Sequence, residues 1–350
     1  MKPNRRPHFK TREVHAGVEP DPTTGAILTP IYQSTTYVQE SVDNYMAKGF
    51  SYSRSGNPTV VALENRITSL EGGAGTACFG TGMAATSAVM MALLNAGDHA
   101  VVSDVVYGGT HRLSTRVLSR FGIEFSFVDT ADPDNVRDAI KDNTRLVFTE
   151  TPANPTLKLT DIAAISAITR ERGIPHAVDN TFLTPYFQRP LELGADLSVH
   201  STTKYMDGHN ATVGGAVVAG DAGHLEAIQF VRNCLGSNMS PMVAFLTLQG
   251  CKTLSTRLEA QSRNAMEIAQ FLETHEMVES VAYPGLESFA QYELAKRQAS
   301  GFGAMLWFEV KGGVANGKRL MDTLELWSLA ENLGSVESLV THSVTMTHAD

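Results

Sequence analysis

Short apolar runs alternate with stretches of helical period from about residue 61 to residue 220. The runs His99 to Val106, Glu124 to Val128, Arg145 to Glu150, His176 to Val178, Leu197 to Val199 and Gly214 to Ala219 read as buried strands. A shorter one precedes the glycine turn Gly80-Thr-Gly82. Helical spacing marks Val61 to Leu70, the segment from that turn to about Leu94, Arg112 to Phe121, Asp134 to Lys141 and Ile162 to Arg172. This alternation predicts an α/β fold with a mostly parallel sheet and crossover helices.

The flanks lack the alternation. Residues 1–60 carry Pro20, Pro22, Gly25, Pro30 and Pro58 with little periodicity, and predict an extended arm ending where Thr59 caps the next helix. Within the arm Tyr52 and Arg54 stand two apart, so an extended backbone points both the same way. Such a pair is usually surface decoration, but it also suits clamping a phosphate on a neighbouring subunit. Gly220 to Arg257 reads as helical, with Pro241 at a helix start or kink. Leu258 to His275 and Ala315 to Leu324 read as amphipathic helices around one β run, Ala304 to Val310. The expected organisation is therefore an arm (1–60), a main α/β domain (61–245) and a smaller α/β domain (246–350).

Composition narrows the class. A net charge of −9 without a basic run argues against nucleic acid or an anionic membrane surface as partner. No apolar stretch approaches membrane-spanning length, and the basic start Met1 to His8 has no apolar run behind it, unlike a signal peptide. The three scattered cysteines, Cys78, Cys234 and Cys251, fit a reducing compartment better than a disulfide framework or a metal cluster. A cytoplasmic protein is the expectation.

Chemistry concentrates where strands end. Tyr107, Asn154, Asp179 and Lys204 each follow the carboxyl end of a different run, so a parallel sheet brings them to one crevice. Lys204 follows Ser201, Thr202 and Thr203; a partly desolvated lysine there can form a Schiff base with an aldehyde, while the hydroxyls bind phosphate. Backbone N–H groups of Gly82 and Met83 at a helix start offer an anion site. Gly80-x-Gly82-x-x-Ala85 also matches the loose dinucleotide pattern, but no acidic residue follows a second strand at the right distance. Asp179 can hold a ring nitrogen protonated and Tyr107 can stack on a ring. Singly, each has a blander reading as a turn residue or a core aromatic; together they point to pyridoxal 5'-phosphate.

The motifs Tyr52-Ser-Arg-Ser-Gly-Asn-Pro-Thr59, Thr81-Gly-Met83, Val106-Tyr-Gly-Gly-Thr110, Glu150-Thr-Pro-Ala-Asn-Pro-Thr156, Val178-Asp-Asn-Thr181, His200-Ser-Thr-Thr-Lys-Tyr205 and Leu329-Ala-Glu-Asn-Leu-Gly334 carry a resemblance. From about His15 to Asp350 the chain resembles the trans-sulfuration (cysteine/methionine-metabolism) family of pyridoxal-phosphate enzymes. The resemblance implies a fold-type I, aminotransferase-like architecture with helices on both sheet faces. It implies Lys204 as the Schiff-base lysine and proton shuttle, with Tyr107 stacked on the cofactor and assisting proton transfer. Gly82, Met83, Asp179, Thr181, Ser201 and Thr203 would join the cofactor site, and Asn154 would contact its ring oxygen. Tyr52 and Arg54 would reach the phosphate of an adjacent subunit in a homotetramer built as a dimer of dimers. Glu331, Asn332, Asn154 and Tyr52 would face a small sulfur-containing amino acid.

Among the family's reactions, Glu331 matches the acidic position of enzymes acting at the γ carbon of cystathionine. Gly109 is not the cysteine typical of methionine γ-lyases, and the tryptophan near 333 of the β-lyase pattern is absent. The expectation is γ-elimination on cystathionine, with γ-replacement by a cystathionine γ-synthase or O-acylhomoserine sulfhydrylase, or a methionine γ-lyase, as alternatives. Asn332 stands where the family usually has a serine that helps bind substrate carboxylate and restrain the lysine. The chain stops at Asp350, where family members continue to an arginine for the substrate carboxylate. A shortened second domain is expected, leaving a cofactor-binding homologue with impaired catalysis as the non-enzyme alternative.

Overall fold

The computed structural model describes residues 7–346, so the basic start at 1–6 and the end at 347–350 lie outside the described residues. The arm contains one helix, α1 (Phe9–His15), where an extended segment was expected. Seven residues are too few to hold a helix by their own bonds, and distant partners supply the difference. Glu13 is buried and accepts from the Ser255 N–H at 2.9 Å and the Ser255 hydroxyl at 2.6 Å. The buried Arg66 guanidinium donates to the carbonyls of Val14 and Ala16 at 2.9 Å each.

Helix α2 (Pro58–Glu71) is capped by Asn57 rather than Thr59. The Asn57 side-chain oxygen accepts the Thr59 N–H at 3.0 Å, and Pro58 opens the helix without needing a partner for an N–H. Thr59 instead anchors the arm: its hydroxyl donates to the Pro30 carbonyl at 2.7 Å and accepts from the Tyr32 N–H at 2.9 Å.

Strand and helix then alternate as expected: β1 (Gly75–Phe79), α3 (Gly82–Leu93), β2 (His99–Ser103), α4 (Gly108–Arg112), β3 (Glu124–Val128), α5 (Pro133–Ala139), β4 (Thr144–Glu150), α6 (Ile162–Glu171) and β5 (His176–Asp179). The helix placed at Arg112 to Phe121 begins earlier, at Gly108, and loosens into a π turn at Leu113–Val117 before tightening to a 3₁₀ turn at Leu118–Phe121. A short helix α7 (Thr184–Phe187) precedes β6 (Leu197–Ser201) and β7 (Gly215–Ala219).

These strands form one seven-stranded sheet in the order β1-β7-β6-β5-β4-β2-β3. Pairing is parallel from β6 through β5, β4 and β2 to β3, whereas β7 runs antiparallel to both β1 and β6. Alternation along the strands sends Phe79, Val102, Phe148, Val199 and Val217 into one core with Val89 and Met90 of α3. Cys78, Ala216 and Val218 face the other way, against Leu63 and Ile67 of α2. The sheet is thus covered on both faces.

After it come α8 (Ala222–Leu235), α9 (Pro241–Cys251) and α10 (Leu254–Glu273). Pro241 starts α9, with Ser240 as its cap, and does not kink it. The division expected near residue 246 falls inside α9, whose Ala244, Leu248 and Cys251 pack with Leu63 and Val218. The expected Ala304 to Val310 run narrows to β9 (Trp307–Val310), which pairs antiparallel with β8 (Val278–Ala282), a strand the periodicity missed. Helix α11 (Tyr292–Gln298) was missed too; α12 (Gly313–Thr323) and the short parallel pair β10 (Ser328–Leu329) and β11 (Leu339–Val340) complete the order. Among the described residues no helix is long and apolar enough to cross a membrane.

One contact seats the glycine turn on the sheet. A Cβ at Gly215 would lie 2.3 Å from the Thr81 carbonyl oxygen and 2.8 Å from Gly82 Cα. Gly215→Ala therefore has to push the start of α3 away from β7, and is expected to cost about 1–3 kcal/mol of unfolding free energy. Urea denaturation checks this; an unshifted midpoint would show that the turn yields freely.

Candidate active site

The carboxyl ends of β2, β4, β5 and β6 carry Tyr107, Asn154, Asp179 and Lys204 to one edge of the sheet, as the strand pattern required. Lys204 lies in the turn after β6 and donates from Nζ to the Asn332 side-chain oxygen at 2.6 Å. Burial disfavours its ammonium form and holds its pKa below the ordinary lysine value. Glu331 is the exposed neighbour of Asn332, and its carboxylate pairs with no side chain among the described residues.

Asp179 closes β5. Its carboxylate accepts from the Thr181 N–H at 3.0 Å and the Thr181 hydroxyl at 2.6 Å. That hydroxyl in turn accepts the Ser201 N–H at 2.9 Å, which fixes the start of the lysine turn. Directly opposite Asp179 in the parallel register is Glu150. Glu150 lies in the Glu150 to Thr156 motif and ends its strand just as Asp179 does, the one local signal of its place in the site. Its carboxylate accepts the backbone N–H of Tyr107 at 2.8 Å and of Asn154 at 3.3 Å, so one side chain ties two of the site's loops together.

No lysine or arginine forms an ion pair with either carboxylate among the described residues. Burial raises the Glu150 pKa, and the Asp179 charge raises it further. Asp179 is raised as well, by burial, against the lowering effect of its Thr181 bonds and of nearby His200. On the far side of β6, His200 meets Glu71 at 2.5 Å, and Glu71 also accepts from the Ser198 hydroxyl at 2.8 Å. This buried cluster, drawn from α2 and β6, had no local sequence signal.

An anion cradle adjoins these groups. Helix α3 starts at Gly82, where first-turn N–H groups have no helical carbonyl to bond. Thr81 takes the Ala84 N–H at 2.9 Å. A Cβ at Gly82 would stand 3.0 Å from Ser201 Cβ, so the missing side chain is what brings the helix start against Ser201. The Ser201 hydroxyl makes no hydrogen bond among the described residues. Thr203, expected to share the phosphate, has its hydroxyl engaged with Gly214: it accepts that N–H at 3.0 Å and donates to the carbonyl at 3.2 Å. Met83 and Tyr107 flank Gly109, and Tyr107 is half exposed.

Tyr52 and Arg54 come together, but not at this site. The guanidinium carbon lies 5.5 Å from the Tyr52 ring centroid, and Arg54 donates to the Asn233 carbonyl at 2.9 Å and side-chain oxygen at 2.7 Å. Neither hydrogen-bonds to Tyr107, Asp179 or Lys204 among the described residues.

The donor set fits pyridoxal phosphate. A depressed lysine suits an aldehyde, buried Asp179 with no cation paired to it among the described residues suits a protonated ring nitrogen, and the helix start with the free Ser201 hydroxyl suits the phosphate. The carboxylate pair also gives a stability signature. In the unfolded chain Glu150 and Asp179 ionise near 4.5 and 3.8, whereas in the fold both keep their protons to higher pH. The folded state then binds more protons than the unfolded one, so stability of cofactor-free protein falls as pH rises above that range, by at most about 1.4 kcal/mol per pH unit per group. The fall ends once the raised values are passed. Glu150→Gln is expected to flatten this slope in urea titrations at several pH values; an unchanged slope would clear the pair of responsibility.

The family model for Cys/Met metabolism PLP-dependent enzymes matches residues 10–350. A cystathionine beta-lyase of Coxiella burnetii is 46% identical over 348 residues, 99% of this chain and 89% of that protein. A cystathionine gamma-lyase of Bacillus subtilis is 46% identical over 97% of this chain and 89% of its own length. The crystal structure of metB from Corynebacterium glutamicum superposes with a TM-score of 0.96 at 44% identity, covering 98% of this chain and 89% of that one. With the strand-end lysine, the buried aspartate and the anion cradle already in one crevice, these matches establish that the chain belongs to the Cys/Met metabolism family of pyridoxal-phosphate-dependent enzymes.

Proposed function

We propose that the protein is a γ-lyase that converts cystathionine and water to cysteine, 2-oxobutyrate and ammonia. Pyridoxal phosphate, when bound, supplies an aldehyde carbon and an electron-withdrawing ring that stabilises negative charge on the substrate. Lys204 is the amine that meets the aldehyde, and burial keeps its neutral, nucleophilic form accessible. With the cofactor and substrate bound, the Lys204 amine would carry a proton between substrate carbons. Asp179 holds the ring nitrogen protonated, with Thr181 orienting its carboxylate.

Tyr107 covers the ring and assists proton transfer, and Glu150 fixes the backbone that presents it. Gly82, Met83 and Ser201 hold the phosphate, while Thr203, its hydroxyl engaged with Gly214, braces the turn beside them, and Asn154 meets the ring oxygen. Tyr52 and Arg54, held away from Lys204 within one chain, reach the phosphate of a second copy, which makes a dimer the smallest active unit and a dimer of dimers the assembly. Residues 61–245 carry the cofactor, and the smaller domain from residue 246 supplies Glu331 and Asn332.

The observation that carries the γ assignment is Glu331. Its carboxylate, without a side-chain partner among the described residues, adjoins the Asn332 that holds Lys204, and is suited to the distal ammonium of cystathionine. Gly109 supports it by exclusion: the cysteine of the methionine γ-lyase pattern is absent, and Tyr107 and Met83 pack close over the glycine in its place. The same residues serve γ-replacement, and the products decide between the two.

Purified holoenzyme given cystathionine is expected to release cysteine and 2-oxobutyrate. Homocysteine and pyruvate would overturn the γ assignment; turnover that requires an O-acylhomoserine would assign replacement. Lys204→Ala is expected to abolish product, and Glu331→Gln to raise KM for cystathionine about tenfold, the loss of one charge-assisted contact.

A further inference from the structure

Behind Lys204 runs a chain of side-chain amides that ends at the surface. Lys204 Nζ donates to the Asn332 oxygen at 2.6 Å, the Asn332 NH₂ donates to the Asn210 oxygen, and the Asn210 NH₂ donates to Glu337 Oε2 at 2.8 Å. We propose that Asn210 and Glu337 are positioning residues for Lys204, acting through Asn332. The proposal rests on the reading that Lys204 is the cofactor-bearing amine.

The backbone is arranged to make this contact. Asn210 adopts φ +52°, a left-handed conformation that asparagine tolerates better than most residues. The facing segment is pinned at two points: the Val336 N–H donates to the Gly208 carbonyl at 3.0 Å, and the Gln261 amide donates to the Ser335 carbonyl at 2.8 Å. Gly334, at φ +82°, passes so close that a Cβ there would lie 2.6 Å from the Tyr205 nitrogen. That approach sets Asn332 beside Lys204.

Donor and acceptor inventory gives the chain a direction. Each asparagine amide has one accepting end and one donating end, and either flip is sterically equivalent. A carboxylate only accepts. Glu337 therefore turns the Asn210 NH₂ toward itself and the Asn210 oxygen inward. Asn332 must then donate to Asn210 and face Lys204 with its oxygen.

The consequence is chemical. A neutral amine that donates an N–H bond to the Asn332 oxygen keeps its lone pair free for attack, and the ammonium form can make the same bond before it loses its proton. Reversed polarity would aim the Asn332 NH₂ at Nζ: it repels the ammonium form and hydrogen-bonds the lone pair of the neutral form, masking the nucleophile. Glu337 thus decides from the surface which end of an amide meets the lysine. Glu337→Gln keeps size and shape but allows both polarities.

The test is a double-mutant cycle on wild-type protein, Glu337→Gln, Asn332→Ala and the pair. Cofactor is removed, pyridoxal phosphate is added back, and the visible absorbance that accompanies its uptake by lysine is followed; borohydride reduction and peptide mapping identify the lysine. Glu337→Gln is expected to slow uptake and lower kcat about three- to tenfold, with the melting temperature unchanged because Glu337 is exposed. In the Asn332→Ala background the same substitution is expected to add nothing. Additive effects, or a Glu337→Gln protein as fast as wild type, would overturn the relay while leaving Lys204 as the labelled residue. Label on another lysine in wild type would overturn the reading beneath it and the relay together.

Discussion

Two carboxylates close neighbouring strands of the sheet, side by side, with no basic side chain among the described residues paired to either. Glu150 and Asp179 are fixed opposite each other by the β4–β5 register, so their proximity cannot relax without breaking the central ladder. Burying two like charges at such a distance is unfavourable, and each group responds by holding its proton to higher pH. The surroundings soften the cost in different ways: backbone N–H groups of two loops turn to Glu150, and Thr181 turns to Asp179. A cation placed against Asp179 would offset the rest, and in the proposed site a protonated pyridine ring would do so.

The remaining parts of the site follow from how those strand ends are dressed. Glu150 orders the loops of Tyr107 and Asn154, while Thr181, through its contact to Ser201, orders the turn of Lys204. The site is therefore one hydrogen-bonded edge of a sheet rather than separate loops. Helix α3 enters that edge because Gly82 and Gly215 allow its first turn to touch β6 and β7. From the other side, the segment around Gly334 passes against Tyr205 and brings Asn332 to the lysine.

Relatives named for β-elimination and for γ-elimination share 46% identity with this chain over nearly its whole length. The common frame supplies cofactor chemistry to all of them. The proposed γ assignment places the difference in a few side chains at the mouth of the crevice, Glu331 and Gly109 among them. These positions are exposed or flanked by adaptable side chains, so they can change without disturbing the sheet.

Much of this was legible in the chain itself. Alternating periods gave the α/β sheet, and the rule that ligands gather at carboxyl strand ends picked out Tyr107, Asn154, Asp179 and Lys204. Local rules failed where the partner was remote in sequence: α1 forms because Ser255 and Arg66 hold it, and β8 is a strand because β9 lies beside it. Asn57 displaced Thr59 as helix cap because Thr59 was drawn to Pro30 and Tyr32. By the same logic, the role of Glu150 depended on strand register, and those of Asn210 and Glu337 on a contact across more than a hundred residues. The sequence by itself determined which chemical groups the crevice would hold, since hydrophobic periodicity sets the strands and their ends expose whatever comes next. Only the tertiary structure decided how those groups are oriented and charged, because hydrogen-bond direction and burial depend on neighbours that the chain brings together only by folding.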